Sequence, residues 1–224
     1  MKNFKWIGLG VLGFGALALG AWADDGDGRE TALFEVTVTN LTRNQPLSPV
    51  LVAIHDHTTA MFTPGAPASA ELALLAEDGD NSQLRALLDG TQGVFDTNSG
   101  SGPIPPGGSD TIQVAANGSA PRISLAAMLV NTNDAFLGVD SMALSARGLP
   151  AFHGVAFDAG SEFNSESCAY IPGPACGSPN SHDPAPAEGY VSIHNGIHGI
   201  GGLSPSLFDW RAEVAEIRIE RVNG

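Results

Sequence analysis

The segment RISLAAMLVNTNDAFLGVDSMAL, residues 122–144, contains two apolar runs separated by the short polar stretch NTND. Each run is too short for a typical helix of a globular protein, and each is bounded by polar or turn-forming residues, which is the pattern of a buried strand. Asp134 lies at the junction, immediately before the second apolar run. The segment therefore predicts two strands with an aspartate at their connection.

The same kind of pattern recurs along the chain on both sides of this segment. Strand-like runs occur at 33–41, 49–56, 111–116, 154–160, 189–194 and 213–222. Helical spacing is confined to 70–80, which stops at Gly79, and to 81–90, with Asn81 as its cap and Gly90 as its stop. Residues 97–110 are a loop rich in Gly, Pro and Ser. Many short strands with few helices predict an all-β protein, an antiparallel β-sandwich with two short inserted helices.

The amino terminus has the pattern of a secretory signal. Lys2 and Lys5 precede an apolar run of about 15 residues, which is short for a membrane-spanning helix, and small residues follow at Ala21 and Ala23. We predict a signal peptide over 1–23, an acidic segment over 24–32 and one domain over 33–224. The alternative is a membrane anchor; cleavage would leave no membrane span. The destination would be the periplasm or the outside of a bacterial cell.

The charge and the cysteines fit an exported protein. The formal net charge is −14 and would become about −16 without the two lysines, so a nucleic-acid partner is not expected. Cys168 and Cys176 are the two cysteines of the chain. In an oxidising compartment we expect a disulfide between them that closes a short loop, and the alternative is two unpaired thiols.

A second acidic segment lies downstream of Asp134. In VAFDAGSEFNSE, residues 155–166, Asp158 follows an apolar strand, and Glu162 comes four residues later. If both strand ends open at the same edge of the sandwich, the carboxylates converge and require a proton, an arginine or a cation. A set of oxygen ligands favours Ca²⁺, with Mg²⁺ as the second choice. Asp140 is a further candidate in the same strand as Asp134, and turn formation is the ordinary alternative for each aspartate.

Enzyme chemistry finds less support in the residue patterns. His55 and His57 form an H-x-H pair, and His194 and His198 have the spacing of a zinc-hydrolase motif. Asn195 stands where that motif has its glutamate, and Gly196 and Gly199 oppose a helix. There is no G-x-S-x-G sequence, although a Ser-His-Asp triad leaves no fixed spacing to search for. A metal-dependent hydrolase using these loop histidines is therefore the alternative function.

Several segments together resemble the spondin N-terminal domain family in a bacterial secreted form. They are FEVTVTNLT, VAIHDHTTAMFTPGAPAS, LALLAEDGD, AMLVNTNDAFLGVD, FDAGSEFNSE with IPGP, and EVAEIRIERV, and they extend over about residues 33–222. The resemblance implies an extracellular β-sandwich similar to calcium-dependent membrane-binding modules, with one structural Ca²⁺.

The resemblance also implies which residues bind the ion. Asp134 and Asp158 match the two ligand aspartates of the family, and Gly154 or Val155 would supply a backbone carbonyl. The sequence departs from the family at Asn133 and Ala135, which replace a proline and a tryptophan, and at Phe157, which replaces a tryptophan. The position of Asp140 is not reliably acidic in the animal members.

The expected function is a secreted, non-enzymatic adhesion or ligand-binding module whose partner is an unknown extracellular or envelope protein or glycan. A structural component of the envelope or matrix without an ion is a third possibility. Calcium in the purified protein would favour the binding module, and stoichiometric zinc would favour the enzyme.

Overall fold

The structure is a computed structural model that describes residues 31–117 and 121–222. The predicted signal peptide and most of the acidic segment lie outside these residues. Among the described residues, no helix has the length and apolar character needed to cross a membrane. The strands are β1 (Ala32–Asn40), β2 (Leu51–His55), β3 (Val94–Ser99), β4 (Ser109–Ala116), β5 (Arg122–Met128), β6 (Ala135–Ala143), β7 (Gly148–Asp158), β8 (Ser192–Ile193) and β9 (Glu213–Arg221). The helices are α1 (Ala70–Asp78), α2 (Ser82–Asp89), the short α3 (Pro205–Phe208) and a 3₁₀ turn (Pro174–Cys176).

The strands form one antiparallel sheet in the order β3-β2-β5-β6-β7-β9-β1-β4, with β8 paired to β7. The two end strands approach each other, because the Ala115 amide donates to Asp96 Oδ2 (2.6 Å) and Asn98 Nδ2 donates to the Gln113 carbonyl (2.9 Å). The sheet thus curls into a nearly closed barrel or flattened sandwich. The predicted all-β antiparallel class is confirmed.

The interior of the curled sheet holds the main apolar core. Its residues come from strands on both sides, for example Val36 and Val38 of β1, Leu125 of β5 and Ile217 of β9, and all four are buried. In β1 and β9 the buried positions alternate with solvated ones, as expected for strands with one wet face. This alternation is the signal that made these strands predictable.

The two helices cover the outer face of the sheet beside β2. Leu72 and Leu75 of α1 and Leu84 of α2 pack there with Leu51 and Ala53. The strand β2 is therefore buried on both faces, which explains its continuous apolar sequence LVAIH. The inserted helices are a second layer that shields the middle of the sheet.

Helix boundaries follow local capping chemistry, with one difference from expectation. Ser69 Oγ accepts from the Leu72 amide (3.1 Å) at the start of α1, and Gly79 ends that helix in the left-handed region. Asn81 was predicted to cap α2, but its side chain bonds no helical amide. It donates instead to the Pro49 carbonyl (2.9 Å) and so ties α2 to the segment before β2.

The strand β3 was missed by the sequence prediction, which assigned residues 97–110 to a loop. Its sequence VFDTNS has no clear alternation and contains residues that disfavour strands. Pairing with β2 and the two contacts with β4 hold it in place. Tertiary contacts therefore override local propensity at this edge of the sheet.

Candidate functional site

The ends of β6 and β7 bring Asp134 and Asp158 together. Ala135, the first residue of β6, pairs with Asp158, the last residue of β7, and the Ala159 amide donates to the Asp134 carbonyl (3.2 Å). Antiparallel neighbours in this register lie about 5 Å apart. The two aspartates therefore occupy one edge of the sheet, although 24 residues separate them in sequence.

The carboxylate of Asp134 is fully buried and only half satisfied. Oδ2 accepts from the backbone amides of Ser161 (2.9 Å) and Glu162 (3.0 Å), which fixes the loop after β7 against the end of β6. Oδ1 is buried and accepts no hydrogen bond from any residue that the structure describes. A buried carboxylate oxygen without a partner is costly unless a positive charge or a proton compensates it.

Asp158 is almost as buried, and both of its oxygens are engaged. Oδ1 accepts from the Gly160 amide (2.6 Å) and Oδ2 accepts from Asn164 Nδ2 (2.5 Å). Asn164 Nδ2 also lies 3.5 Å from Glu188 Oε1, so a third carboxylate is close to the pair. Residues Asp134, Asp158 and Glu188 are called the acidic cluster below.

The electrostatics of the acidic cluster favour an added positive charge. Burial, followed by the charge of Asp158, raises the pKa of Asp134 to about 8. Burial, followed by the charge of Glu188, raises the pKa of Asp158 to about 6. At neutral pH, the raised pKa of Asp134 means that this carboxyl retains a proton unless a cation takes its place.

The ligand chemistry of the acidic cluster suits a hard cation. Its members offer oxygen atoms, including the unpartnered Oδ1 of Asp134, and Ca²⁺ is bound by carboxylate and carbonyl oxygens in flexible geometry. The strand ends and loops that carry these oxygens can adjust to the irregular coordination of Ca²⁺. The residues present therefore fit the ion that the sequence resemblance implies.

The structure does not bring the predicted carbonyl ligands to this edge. Gly154 and Val155 lie four and three residues before Asp158, roughly 10 to 13 Å away along β7. Both sit within the sheet, where Gly154 pairs with Ala215 and Val155 with Gly138. The carbonyl prediction is corrected: neither residue is adjacent to the acidic cluster, because β7 continues to Asp158.

Two other predicted carboxylates also face elsewhere. Asp140 lies near the other end of β6, where Oδ1 accepts from the Met61 amide (2.9 Å) and Ser124 Oγ (3.2 Å). Glu162 Oε1 accepts from Asn133 Nδ2 (3.1 Å) and the Asp183 amide (2.7 Å), and Oε2 lies 3.4 Å from the His182 ring. We therefore leave both carboxylates out of the acidic cluster.

The four histidines of the hydrolase alternative are divided between two ends of the sheet. His55 ends β2 at the position that pairs with Arg122 of β5, whereas His194 follows β8, which pairs with the last residues of β7. Through the strand register these ends are roughly 20 Å apart. His55, His57, His194 and His198 therefore do not form one metal centre.

The two buried or half-buried histidines already have partners for both ring nitrogens. His55 Nδ1 bonds the Asp56 carbonyl (2.7 Å) and Nε2 bonds Ser124 Oγ (2.8 Å). His194 Nδ1 accepts from the Gly196 amide (3.0 Å), Nε2 lies 3.1 Å from Asn164 Oδ1, and the ring packs against Trp210. These contacts are structural, as expected for loop histidines that hold a backbone in place.

A cavity of about 320 Å³ opens beside the acidic cluster. Asp158 and Glu188 form part of its wall, and its rim carries exposed apolar side chains of Phe163, Tyr190 and Ile200. The exposed fractions of these three residues are 40%, 48% and 69%. Large apolar side chains exposed around a polar cavity are typical of a surface that contacts a ligand.

The loops that form this cavity are stapled together. Cys168 and Cys176 form a disulfide, which confirms the predicted pairing, and it packs beside a small apolar cluster of Ile171, Ile197 and Leu203. Glu166 accepts hydrogen bonds from three successive backbone amides, those of residues 198, 199 and 200. The cavity is therefore bounded by loops that a disulfide and backbone hydrogen bonds hold together.

Sequence reasoning missed Glu188 as a member of the site. It lies 30 residues after Asp158 in a Pro- and Ala-rich loop, where no periodicity marks a site residue. The loop returns to the acidic cluster because the Gly189 amide donates to the Gly160 carbonyl (2.8 Å), and Gly189 has a positive φ of 81°. A glycine directly after an acidic residue was the one available signal.

Comparison with known protein families identifies a matching family. The sequence profile of the family described as Spondin_N matches residues 39–158, from the end of β1 to the end of β7, and includes both Asp134 and Asp158. No curated protein sequence gives a significant match to the chain.

Proposed function

The chain belongs to the spondin N-terminal domain family, and from that premise we propose that it is a secreted, non-enzymatic module that binds one structural Ca²⁺ and contacts a ligand through adjacent loops. The family is an extracellular kind of domain, and the disulfide fits the same compartment. We propose a bacterial envelope, either the periplasm or the cell exterior, as the site of action. The ligand would be a protein or a glycan.

The observation that carries the calcium proposal is the buried Oδ1 of Asp134. It has no hydrogen-bond donor among the described residues, and a second carboxylate ends the neighbouring strand. Two carboxylates about 4 Å apart repel by roughly 4 kcal/mol at an effective dielectric of 20. A cation between Asp134 and Asp158, with Glu188 nearby, removes this repulsion and supplies the missing partner.

An ion at this place would connect three parts of the fold. Asp134 precedes β6, Asp158 ends β7, and Asp134 also holds the loop after β7 through the amides of Ser161 and Glu162. Because the ion binds only the folded chain, it stabilises the domain by about 1.4 kcal/mol at a concentration ten times its dissociation constant. Ca²⁺ is preferred over Mg²⁺ because loops readily supply irregular oxygen coordination.

The ligand-contact proposal rests on the cavity next to the acidic cluster. The exposed rings of Phe163 and Tyr190 and the exposed side chain of Ile200 surround it, and Asp158 is shared between the cavity wall and the proposed ion site. Ion binding would order the loops that carry the rim. Ligand affinity should therefore depend on Ca²⁺.

No observation favours the hydrolase alternative that uses His55, His57, His194 or His198. These histidines lie at two ends of the sheet, and the rings of His55 and His194 are fully engaged in hydrogen bonds. The third possibility, a structural component without an ion, requires a retained proton on the buried Asp134 carboxyl. The calcium-binding module accounts best for the site.

Thermal unfolding tests the ion. Added Ca²⁺ should raise the melting temperature of the wild-type chain, chelator should reverse the gain, and Asp158→Asn should abolish the response. Asp140→Asn is the matched control, because it changes an aspartate near the other end of β6 and should keep the response. A melting temperature of the wild type that is insensitive to Ca²⁺ would refute the ion.

Ligand contact requires a separate test. We expect the full chain to bind selected members of a panel of glycans and matrix or envelope proteins in Ca²⁺, and to lose this binding in chelator or on Tyr190→Ser. Leu207→Ser is the control, because Leu207 is as exposed as Tyr190 but does not line the cavity. Binding that both Tyr190→Ser and chelator leave intact would place the ligand surface elsewhere.

A further inference from the structure

A second group of ligating side chains lies where the end of α1 meets two loops. Glu77 comes from the last turn of α1, Glu162 from the loop after β7, and His182 from the irregular segment that follows the disulfide loop. His182 Nδ1 is 2.9 Å from Glu77 Oε2 and 3.4 Å from Glu162 Oε2. One ligand atom from each of the three lies within 4.8 Å of the others.

Glu162 provides an independent indication that a cation is needed. Its side chain is 2% exposed, and Oε1 is already held by Asn133 and by the Asp183 amide. Oε2 is buried, accepts no hydrogen bond from any described residue, and points toward His182 and Glu77. A buried carboxylate oxygen aimed at a second carboxylate requires a positive charge between them.

The remaining ring nitrogen of His182 faces a carboxylate. Asp78 Oδ1 lies 3.6 Å from Nε2, on the opposite side of the ring from Nδ1. A carboxylate beside the non-ligating nitrogen fixes the tautomer and the ring orientation in many metal sites. Nδ1 then faces Glu77 and Glu162, and an ion bound between the three would replace its direct contact with Glu77.

The helix terminus adds to the excess of negative charge. Glu77 and Asp78 lie in the last turn of α1, which contains no basic residue, and the carbonyl end of a helix itself carries a partial negative charge. Acidic residues are unfavourable at this end unless a cation compensates them. Three carboxylates and a helix terminus therefore surround one imidazole.

We propose that Glu77, Glu162 and His182 form a second divalent-cation site, of the zinc class, that ties the His182 segment to α1. One nitrogen and two oxygen ligands suit Zn²⁺, whereas Ca²⁺ takes oxygen ligands only. Ligands of a tetrahedral Zn²⁺ lie roughly 3.3 Å apart, close to the two distances from Nδ1. His182 is 46% exposed, so a water molecule can complete the coordination.

This site is separate from the acidic cluster and does not depend on the proposed calcium function. The alternative occupant is a proton, with His182 charged and paired to Glu77. Zinc binding distinguishes the two, because a metal site binds one Zn²⁺ with release of the competing proton, whereas an ion pair that is only structural does not bind Zn²⁺ stoichiometrically. The two proposals can therefore fail independently.

The test is a Zn²⁺ titration of the full chain, without a polyhistidine tag, in excess Ca²⁺. We expect the wild type to bind one equivalent of zinc. His182→Gln and Glu77→Gln should each weaken the zinc affinity at least ten-fold, and Asp78→Asn should weaken it about ten-fold. His153→Gln is the matched control, since His153 is similarly exposed and also near a glutamate. Asp158→Asn should retain zinc binding.

Three outcomes would overturn the site. They are no stoichiometric zinc on the wild type, unchanged affinity in both His182→Gln and Glu77→Gln, or a loss in His153→Gln equal to that in His182→Gln. Circular dichroism of each variant checks folding. If His182→Gln does not fold, Glu77→Gln alone decides, because a partly exposed glutamine retains the shape of the side chain.

Discussion

Asp134 and Asp158 are neighbours because Ala135 pairs with Asp158 at the shared end of β6 and β7, and because the Ala159 amide donates to the Asp134 carbonyl. This register places a fully buried carboxylate beside a nearly buried one. The arrangement is unfavourable for a chain without a cation or an added proton. It is the relationship from which the calcium proposal follows.

Removal of one charge should stabilise the protein when no cation is present. In chelator at pH 8, we expect Asp134→Asn to raise the free energy of unfolding by about 1 to 3 kcal/mol, because it removes a buried carboxyl that must either carry an unpaired charge or take up a proton on folding. The amide oxygen can still accept from Ser161 and Glu162. Chemical denaturation measures the effect.

The free energy of unfolding of the same variant should not increase in Ca²⁺, whereas that of the wild type should. The stability advantage of the variant over the wild type should therefore shrink or change sign when the ion is added. Asp140→Asn serves as the control, and it should be less stable than the wild type with and without Ca²⁺. An Asp134→Asn variant that is less stable than the wild type in chelator would contradict the proposed repulsion between Asp134 and Asp158.

The loop after β7 should be sensitive to a methyl group at Gly160. Its φ is +65°, and an added Cβ would lie 2.3 Å from the Tyr190 carbonyl oxygen. Gly160→Ala should therefore cost more than about 2 kcal/mol and weaken Ca²⁺ binding, because Gly160 donates to Asp158. Thermal denaturation and calcium titration measure both effects.

Gly177→Ala is the matched control for Gly160→Ala. Gly177 has a similar φ of +78°, but no atom lies within 4 Å of the added Cβ. Gly177→Ala should lose only about 1 kcal/mol of unfolding free energy, the cost of placing alanine at a positive φ, and should bind Ca²⁺ like the wild type. Equal losses of stability in the two variants would show that the contact with Tyr190 is unimportant.

Acid should destabilise the fold through His194. Burial, followed by the charge of His198, lowers the pKa of His194 from 6.5 to about 4. Between these values the unfolded chain binds a proton that the folded chain does not, so stability present above pH 6.5 is lost as the pH falls toward 4. The upper limit of this effect is roughly 3 kcal/mol.

The His194 effect can be separated from other titrations by comparing variants. His194→Asn should flatten the dependence of the unfolding free energy on pH between 6.5 and 4, whereas His153→Asn, at an exposed position, should leave it unchanged. Urea denaturation at several pH values provides the slopes. Identical slopes in His194→Asn and the wild type would show that His194 does not cause the loss of stability in acid.

The disulfide should contribute to stability without being required for the ion. It links Cys168 to Cys176, eight residues apart, and a loop of this length is worth about 2 to 3 kcal/mol. We expect the double variant Cys168→Ser, Cys176→Ser to melt at a lower temperature but to retain the Ca²⁺ response. Loss of that response would mean that the disulfide loop positions the acidic cluster.

Much of the fold was predictable because periodicity reports burial. The alternation in β1 and β9 and the continuous apolar run of β2 each identified a strand, and Gly79 marked the end of α1. The strand β3 was not predictable from VFDTNS, since its contacts with β2 and β4 hold it in place. The strand order and the near closure of the sheet are likewise properties of distant pairing.

The candidate site was predictable only where a strand end marked it. Asp134 and Asp158 each border an apolar run, which placed them at strand ends. That these two ends converge was only a condition, and the family resemblance was what implied that the two aspartates act together. Glu188 and His182 lie in loops whose paths depend on single backbone contacts and glycines, so no local pattern identified them. The directions of the Glu162 and Asp140 side chains were also not predictable from the sequence.

Calorimetric titration of the chelator-treated full chain with Ca²⁺ at neutral pH is the most direct test of the ion between Asp134 and Asp158. We expect one ion per chain in the wild type, with a dissociation constant on the order of 10⁻⁴ to 10⁻³ M or tighter, and no binding to folded Asp134→Asn. Absence of binding to the wild type, or equal affinity in Asp134→Asn, would contradict the proposed site.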